Sequence, residues 1–391
     1  MTVDNVYIFV ADALRRDYLP DEIKEIGEYV PTISAGTNSP AGFSSIVSGL
    51  YPSQHQTQAF THRLDPQFNY LNAASDQYDT RFYQIYQTEL SEVLNMNQDL
   101  SNPVENVDEP FIVMERDMTT HAPYGYSSYE DVDVGPQEYF GGKNVDWDRI
   151  RSDYQSASER VGDRFMQRLD ELEEKGYLEN TLVIFTSDHG ELLGEYSEMS
   201  HGEPLVPELV EVPTVIKNPD PSSGELDLDL MSHVDILPTI TDVLSEPDPW
   251  ISPGQSVYAD KQHPFRLSER RSEPHTLNEF SFQNYYNYTV RSVWDADGGY
   301  VFNGTSLPGL FVHAFRQTPL FNPLRGRDVF RAFEALYHHI VRNRTFDNPN
   351  FTASEAKQYL TEMDEISIQL SRTTEEISDE ARKELEHLGY L

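Results

Sequence analysis

Two short runs of strand-type residues each end in acidic side chains that can bind a metal. Residues 182–185 read Leu-Val-Ile-Phe, and Asp188 and His189 follow closely. A second apolar run, at residues 6–10, leads into Asp12. Parallel strands of an open α/β sheet bring their carboxyl ends to one edge, where ligands bind. We therefore expect Asp12, Asp188 and His189 to lie close together at such an edge.

These three side chains form a set of oxygen and nitrogen donors. Two carboxylates and an imidazole suit Zn²⁺ or Mn²⁺, so the sequence predicts a divalent metal centre. The alternative is that Asp12 and Asp188 form turns or cap helices, as Asp often does. That alternative fits Asp12, taken alone, better than it fits Asp188, because His189 and Gly190 come directly after Asp188.

The first part of the chain alternates between strand-like and helix-like stretches. Residues 148–176 carry apolar side chains at helical spacing and predict a long amphipathic helix that stops at Gly176, and residues 233–244 predict a shorter one. Such alternation favours βα units in a mostly parallel sheet with helices on its faces, an α/β fold. The predicted strands are residues 7–11, 80–86, 111–115, 182–186 and 213–217.

The chain of 391 residues has room for one large domain and a smaller appendage, or for two domains of ordinary size. A Pro-rich run at residues 247–254 predicts the boundary, with a core at 1–250 and a smaller subdomain at 251–391. In that second part, residues 285–302 predict antiparallel strands, and residues 378–388 predict a terminal helix that ends at Gly389. Residues 124–147 lack a clear period and predict a long loop, whose aromatic side chains, including Tyr126, Tyr129, Tyr139 and Phe140, suit stacking on a sugar.

Acidic residues outnumber basic residues by 66 to 29, which gives a formal net charge of −37. Such a surface repels DNA, RNA and anionic membranes, so these partners are not expected. Salt screens repulsion between like charges, so an acid-rich, Lys-poor chain fits a protein from a salt-loving organism.

The absence of cysteine excludes disulfides, thiolate ligands and a thiol nucleophile. The apolar run near the N terminus is too short for an export signal, and no stretch is long enough to span a bilayer. We therefore expect a cytoplasmic protein.

Ser39 and Pro40 precede small and apolar residues that predict a helix ending at Gly49. A hydroxyl at a helix start lies among free N–H groups at the positive end of the helix dipole, which favours an anionic substrate or an alkoxide. Two interpretations of Ser39 stay open, a nucleophile and a plain helix cap, because Ser is a preferred capping residue.

Two histidines lie near other predicted strands. His121 follows the strand at residues 111–115, and His201 lies between His189 and the strand at 213–217. Either histidine can stabilise charge on an ester or protonate its leaving oxygen. A single histidine of this kind is more often a hydrogen-bonded surface or core residue, but two after adjacent strands favour catalysis.

Together these segments resemble the sulfatase family of the alkaline phosphatase superfamily. They follow the family's order and approximate spacing over roughly the first two thirds of the chain. The matching segments are DALRRD from Asp12, SGLYPSQH before residue 56, HAPY from His121, TSDHGE around Asp188, SHGEPLVPELVEVP around His201, and HVDILPT from His233.

The resemblance implies an alkaline-phosphatase-like α/β fold, with a central, mostly parallel sheet flanked by helices and a smaller C-terminal α+β subdomain. It implies a hydrolase that uses a divalent metal ion (Zn, Mn or Ca) to cleave a sulfate or phosphate ester of a small molecule or glycan. Ser39 matches the nucleophile, and His121 and His201 match residues that contact the ester or the leaving oxygen. The implied metal ligands are Asp12, Asp188, His189 and Ser39.

The chain departs from typical sulfatases in two places. The motif that directs oxidation of the nucleophile to formylglycine carries an Arg four residues later, where this chain has Phe43. A Lys-x-His pair of the family falls at Ile85 and Gln87. These departures favour an unmodified Ser39 acting on phosphate mono- or diesters, with Arg15 and Arg16 as candidates for a compensating cation.

Three functions therefore stay open. The first is a hydrolase of sulfate or phosphate esters. The second is a phosphodiesterase or a phosphoglycerol-type transferase. The third is a catalytically degenerate protein that binds a sulfated or phosphorylated glycan.

Overall fold

A mixed, mostly parallel sheet of eight strands forms the centre of the molecule, in the order β10-β2-β9-β6-β1-β5-β3-β4. The computed structural model describes residues 3–84, 88–99, 102–125, 139–140, 145–220, 226–272, 288–316 and 336–366. Strand β9 runs antiparallel to both of its neighbours, and the other pairs are parallel. The strands are β1 Asn5–Ala11, β2 Glu28–Ile33, β3 Asp79–Gln84, β4 Gln98–Asp99, β5 Phe111–Asp117, β6 Thr181–Thr186, β9 Glu211–Lys217 and β10 Met231–Ser232.

Helices cover both faces of this sheet. They are α1 Asp21–Lys24, α2 Ser39–Ser48, α3 Pro52–His55, α4 Tyr70–Ala73, α5 Leu90–Val93, α6 Trp147–Glu174, α7 Pro207–Val210 and α8 Ile236–Val243. The segment predicted as one helix at 233–244 starts as a 3-10 turn, His233–Asp235, before α8.

The side chains of β1 alternate between two hydrophobic cores, as a strand covered on both faces requires. One face packs against Phe43 of α2 and Ile236 of α8. The other packs against Val161 and Phe165 of α6. The predicted apolar stripe of α6 is therefore confirmed, and Gly176, just after its end, has φ of +77°, a conformation that suits glycine.

A second sheet is antiparallel, in the order β11-β12-β13-β14. Its strands are β11 Arg266–Ser272, β12 Tyr288–Asp295, β13 Gly298–Asn303 and β14 Asn343–Asp347, and a small ribbon pairs β7 Leu192–Leu193 with β8 Met199–Ser200. Helix α9 Leu307–Arg316 and helical residues 336–340 and 353–366 belong to this C-terminal part. The predicted antiparallel strands are confirmed, and the boundary near residue 250 stays a prediction.

Some predictions fall on residues outside the described ranges, including the terminal helix at 378–388 and most of the loop at 124–147 with Tyr126 and Tyr129. Of the aromatic residues predicted to stack on a sugar, Phe140 is buried against Tyr124. That prediction is wrong for Phe140, because its ring is part of the protein core. None of the helices in the described ranges is long and apolar enough to cross a membrane.

Candidate active site

Ser39 is the first residue of α2, and Asn38 is the residue that caps the helix. The Asn38 side chain accepts a hydrogen bond from the Ala41 N–H at 3.2 Å. The Ser39 hydroxyl instead donates to Asp12 Oδ2 at 3.2 Å and lies 3.4 Å from His189 Nε2. The cap interpretation of Ser39 is therefore wrong, because its neighbour already performs that role.

Gly42 allows α2 to lie directly against the strand end that carries Asp188. A Cβ atom at this position would lie 2.5 Å from the Asp188 carbonyl oxygen and 2.9 Å from Asp188 Cβ. The missing side chain therefore determines how closely Ser39 approaches the acidic cluster.

Asp12, Asp188 and His189 are fully buried, and ligand atoms from all three lie within 4.8 Å of one another. Nε2 of His189 lies 3.3 Å from Asp188 Oδ2 and 3.8 Å from Asp12 Oδ1. Within the part of the chain that the structure describes, these two carboxylate oxygens have no hydrogen-bond partner. Buried polar atoms are normally paired, so two unpaired oxygens that face one imidazole nitrogen are a specific signal for a cation.

The remaining atoms of the cluster are held by the backbone. Oδ1 of Asp188 accepts hydrogen bonds from the N–H groups of Ala13 and His189, both at 3.0 Å. Nδ1 of His189 donates to the Gly190 carbonyl at 2.9 Å, which leaves the Nε2 lone pair facing the carboxylates. Burial, together with the negative charge of Asp12, raises the pKa of Asp188 to about 8. The donor set fits a divalent cation, whose charge would offset this repulsion.

Arg116 is a site residue that the sequence interpretation missed. It lies in β5, is almost fully buried, and donates from Nε to Asp12 Oδ2 at 2.7 Å. Its Nη2 lies 3.4 Å from Ser39 Oγ. The available signal was the charged run Glu115-Arg116-Asp117 at the carboxyl end of an otherwise apolar strand.

The two arginines predicted as compensating cations are bound elsewhere. Arg15 forms ion pairs with Asp17 and Glu195, both at 2.7 Å. Arg16 forms an ion pair with Glu211 at 3.0 Å. That prediction is wrong, and the cation beside the serine is Arg116.

His121 and His201 are half-buried and lie together beside the cluster. The His201 ring centroid is 4.3 Å from that of His189 and 5.1 Å from that of His121. Nδ1 of His201 donates to Glu191 Oε2 at 3.1 Å. Glu191 is fully buried and is a second residue whose role the sequence interpretation missed, although it lies in the TSDHGE segment.

The two histidines differ in their affinity for a proton. Burial lowers the pKa of His121 to about 4, which favours its neutral form. Burial also lowers the pKa of His201, but the carboxylates of Glu191, Asp12 and Asp188 together raise it by more, so the net direction is upward. Pairs of groups whose environments move their pKa values apart commonly divide acid and base roles between them.

Comparison with known proteins agrees with this geometry. Residues 39–246 match the sulfatase family model. A protein of Haloferax volcanii named low-salt glycan biosynthesis sulfotransferase Agl7 is 30% identical over 406 aligned residues, which span 99% of this chain and 96% of that protein. The chain belongs to the sulfatase family. The motif-based resemblance is thereby confirmed.

Solved structures with the same fold include a 2-O GAG sulfatase, with a TM-score of 0.62 at 13% identity over 96% of this chain and 94% of that one. A phosphonate monoester hydrolase of Agrobacterium radiobacter aligns with a TM-score of 0.60 at 14% identity over 97% of this chain and 96% of that one. The expected alkaline-phosphatase-like α/β fold with a smaller C-terminal subdomain is confirmed.

This sulfatase-family chain has Phe43 where the formylglycine motif has an Arg. The Phe43 ring is fully buried, and the Arg116 guanidinium lies over it, 5.6 Å from its centroid. Phe43 thus supports a cation that reaches the serine from β5. Positions 85 and 87, where the Lys-x-His pair falls, lie outside the described residues.

Proposed function

We propose that this protein is a metal-dependent hydrolase that cleaves a sulfate or phosphate ester with the unmodified Ser39 hydroxyl as nucleophile. The observation that carries the proposal is the position of Ser39 Oγ, which lies 3.2 Å from Asp12 Oδ2 and 3.4 Å from both His189 Nε2 and Arg116 Nη2. A hydroxyl in contact with a carboxylate and a fixed cation at a helix start is suited to attack an anionic ester.

The proposed metal ligands are Asp12, Asp188 and His189, together with Ser39. A divalent cation held by these side chains would lower the pKa of the serine hydroxyl and offset negative charge on the ester. Arg116 contributes a second, permanent positive charge, because a guanidinium does not lose its proton in proteins. The start of α2 adds the partial positive charge of its free N–H groups.

In the first step, Ser39 Oγ forms a bond to the sulfur or phosphorus atom while the bond to the leaving oxygen breaks. The serine proton passes to solvent, because the lowered pKa of Asp12 makes its carboxylate a poor base, and His201 donates a proton to the leaving oxygen. In the second step, water attacks the same atom and gives a proton to His201, and Ser39 Oγ leaves and takes a proton from solvent. The products are an alcohol and an inorganic anion, and the side chains return to their starting states.

His121 is proposed to contact the anionic group of the ester. Its Nδ1 already donates to the Ala122 carbonyl at 3.0 Å, so Nε2 can donate to the ester only when the ring takes up a second proton, which the negative charge of the bound ester favours. His121 and His201 thereby act on different oxygens of one ester.

A second candidate is transfer of the sulfuryl group to a sugar hydroxyl. The Haloferax relative, which matches nearly the whole chain, carries the name of a sulfotransferase. The first step is unchanged in that case, and the acceptor in the second step is a glycan hydroxyl in place of water.

A cavity of about 620 Å³ supports an anionic glycan as the substrate class. Four arginines line this cavity, namely Arg63, Arg270, Arg271 and Arg291, together with the carboxylates of Glu269 and Asp364. Arg63 and Arg270 form ion pairs with Glu92 and Glu203, and Arg291 forms ion pairs with both lining carboxylates, so a bound anion would compete with these acids. The cavity borders the site through Gln58, whose carbonyl accepts a hydrogen bond from Asn38 at 2.9 Å. Its volume is within the range of pockets that bind small ligands.

The test is a panel of 4-nitrophenyl sulfate, 4-nitrophenyl phosphate and bis(4-nitrophenyl) phosphate at high salt. Metal-stripped protein is assayed alone and with Zn²⁺, Mn²⁺ or Ca²⁺, and Ser39→Ala and Asp188→Asn are compared with the surface variant Ser156→Ala. Metal-dependent turnover that both site variants lose supports the hydrolase. Turnover that rises only when a glycan acceptor is added favours the transferase.

Equal background rates in wild type and Ser39→Ala on every substrate would contradict the hydrolase, and are the result expected of a protein that binds a glycan without cleaving it. The mass of the peptide containing Ser39 completes the test. Loss of two hydrogens from Ser39 in protein from its native host would overturn the unmodified nucleophile.

A further inference from the structure

A second cluster of ligating side chains joins the segment around His201 to the C-terminal part of the chain. It consists of Glu203, His313 of α9 and His339 of helical residues 336–340. The two histidines are fully buried, and Glu203 is partly buried. The sequence interpretation did not single out any of these residues.

The donor atoms of this cluster converge on one point. His313 Nε2 lies 2.8 Å from His339 Nδ1 and 3.3 Å from Glu203 Oε2. All three ligand atoms lie within 4.8 Å of one another. Two imidazole nitrogens and one carboxylate oxygen form a set that Zn²⁺ binds in proteins, whereas Ca²⁺ and Mg²⁺ prefer oxygen ligands.

Neighbouring side chains fix the orientation of both rings. Nε2 of His339 lies 2.8 Å from Glu198 Oε1, a buried carboxylate that accepts its proton in a hydrogen bond. Nδ1 of His339 then presents its lone pair to the cluster, which is the arrangement that histidine ligands show when a carboxylate holds the other nitrogen. The ring of His313 stacks on Tyr288 with centroids 3.8 Å apart and planes 9° apart.

Glu203 also forms an ion pair with Arg270, whose Nε lies 3.8 Å from Glu203 Oε1, so the other carboxylate oxygen, Oε2, is the one that lies beside His313.

We propose that Glu203, His313 and His339 bind a divalent transition metal ion, with Zn²⁺ the preferred ion, at a site separate from the one beside Ser39. Glu198 and Glu203 lie on either side of His201 in the chain. The ion therefore tethers the segment that carries His201 to α9 and to residues 336–340. Its role is to position this segment, and it takes no part in the chemistry at Ser39.

The test uses Asp188→Asn protein, in which the first metal cluster lacks one carboxylate charge. The protein is stripped with a chelator, dialysed at high salt and titrated with Co²⁺, whose visible absorption is intense when it is bound by four ligands. We expect one tightly bound Co²⁺ per chain that Zn²⁺ displaces. Adding His313→Gln or His339→Gln should abolish the visible bands, while His338→Gln, at a neighbouring histidine that contacts Arg344, should leave them unchanged.

Two results would overturn the proposal. One is the absence of visible Co²⁺ bands in the Asp188→Asn protein, and the other is an equal loss of these bands in His338→Gln and His313→Gln. Circular dichroism of each variant identifies unfolding, and Glu203→Gln, which keeps the side-chain shape, provides a milder variant that should weaken Co²⁺ binding at least tenfold. These readouts do not use ester turnover, so they are independent of whether the hydrolase proposal holds.

Discussion

Arg116 donates two hydrogen bonds to a single carboxylate oxygen of Asp12, from Nε at 2.7 Å and from Nη2 at 2.5 Å. Burial raises the pKa of Asp12, but the Arg116 guanidinium, together with His121, His189 and His201, more than offsets this effect, so the pKa is lowered below its usual range. Asp12 is therefore a carboxylate at neutral pH, with Oδ2 held by arginine and Oδ1 left to face His189. This one buried ion pair thus fixes the orientation of Asp12, so that Oδ1 faces the metal cluster and Oδ2 faces Ser39.

Replacing Arg116 by Lys should lower kcat by about 10²- to 10³-fold, the usual cost of losing one donor to developing charge. A lysine keeps the charge but cannot contact Asp12 and Ser39 in the same fixed geometry. The measurement is kcat on the best ester of the panel, with Arg81→Lys as the control, because Arg81 lies on β3 and pairs with Asp79. Equal, small losses of kcat in both variants would show that Arg116 does not act in the site.

The variant Arg116→Ala should also lower the free energy of unfolding by about 3–5 kcal/mol, because it leaves the buried Asp12 charge without its partner. Denaturant titration at high salt measures this change. A loss below about 1 kcal/mol would mean that another group or an ion compensates Asp12 in solution.

Replacing Gly42 by Ala should weaken both activity and metal binding. The added methyl group would lie 2.5 Å from the Asp188 carbonyl oxygen, so α2 must move away from the strand end. Overpacking of this kind typically costs about 1–3 kcal/mol of stability. The control is Gly304→Ala, whose nearest neighbour would be a carbonyl oxygen at 3.7 Å. Unchanged metal affinity in Gly42→Ala would show that the contact does not set the site geometry.

If His201 protonates the leaving oxygen, its loss should matter most for esters with poor leaving groups. His201→Gln is expected to reduce the rate about 10²- to 10⁴-fold on an alkyl ester and much less on a 4-nitrophenyl ester, which leaves without a proton. Glu191→Gln should show the same trend more weakly, because Glu191 orients the ring through Nδ1. An equal effect on both esters would assign His201 to substrate binding.

His55 should make stability depend on pH in a predictable direction. Burial lowers the pKa of His55 from 6.5 to about 3. Between these values the unfolded chain binds a proton that the folded chain does not, so the stability that neutral His55 contributes is full above pH 6.5 and is lost as the pH falls. The slope of this contribution approaches about 1.4 kcal/mol per pH unit.

His55→Gln should therefore flatten the dependence of unfolding free energy on pH between 6.5 and 5, measured by denaturant titration. The control is Ser45→Ala, which removes the hydroxyl 3.1 Å from Nε2 but keeps the imidazole, and with it the slope. A wild-type slope in His55→Gln would contradict the prediction.

Low salt should destabilise the protein. With a net charge of −37, repulsion between carboxylates grows as the Debye length rises from about 3 Å in 1 M salt to about 10 Å in 0.1 M. The measurement is the midpoint temperature of thermal unfolding at increasing KCl concentration. Sucrose at matched osmolality is the control. A midpoint that does not change with KCl would contradict the expectation of a salt-loving source organism.

Local sequence was sufficient for much of the fold. Strand β1, strand β6 and helix α6 appear close to their predicted bounds, because apolar periodicity records which side chains face the core. The same sequence located Asp12, Asp188 and His189 at strand ends, and pairing of β1 with β6 brings those ends together. The terminal helix and most of the loop at 124–147 stay predictions, since they lie outside the described residues.

Partners that are distant in the chain could not be assigned in this way. Arg15, Arg16 and Arg116 all follow or end apolar strands, and nothing local distinguishes the one that reaches Ser39. The choice depends on β5 lying beside β1, which turns Arg116 towards Asp12, while Arg15 and Arg16 lie nearer to Glu195 and Glu211.

By itself the sequence determined the fold class, the family and the strand ends that carry the acidic cluster, because these depend on local patterns and ordered motifs. Only the tertiary structure decided which cation contacts the serine, which carboxylate orients His201, and that two histidines and a glutamate meet at a second point. Most of those contacts join residues that are distant in the chain, such as Ser39 and Arg116, which are 77 positions apart. Their geometry follows from strand order and packing, which no local pattern records.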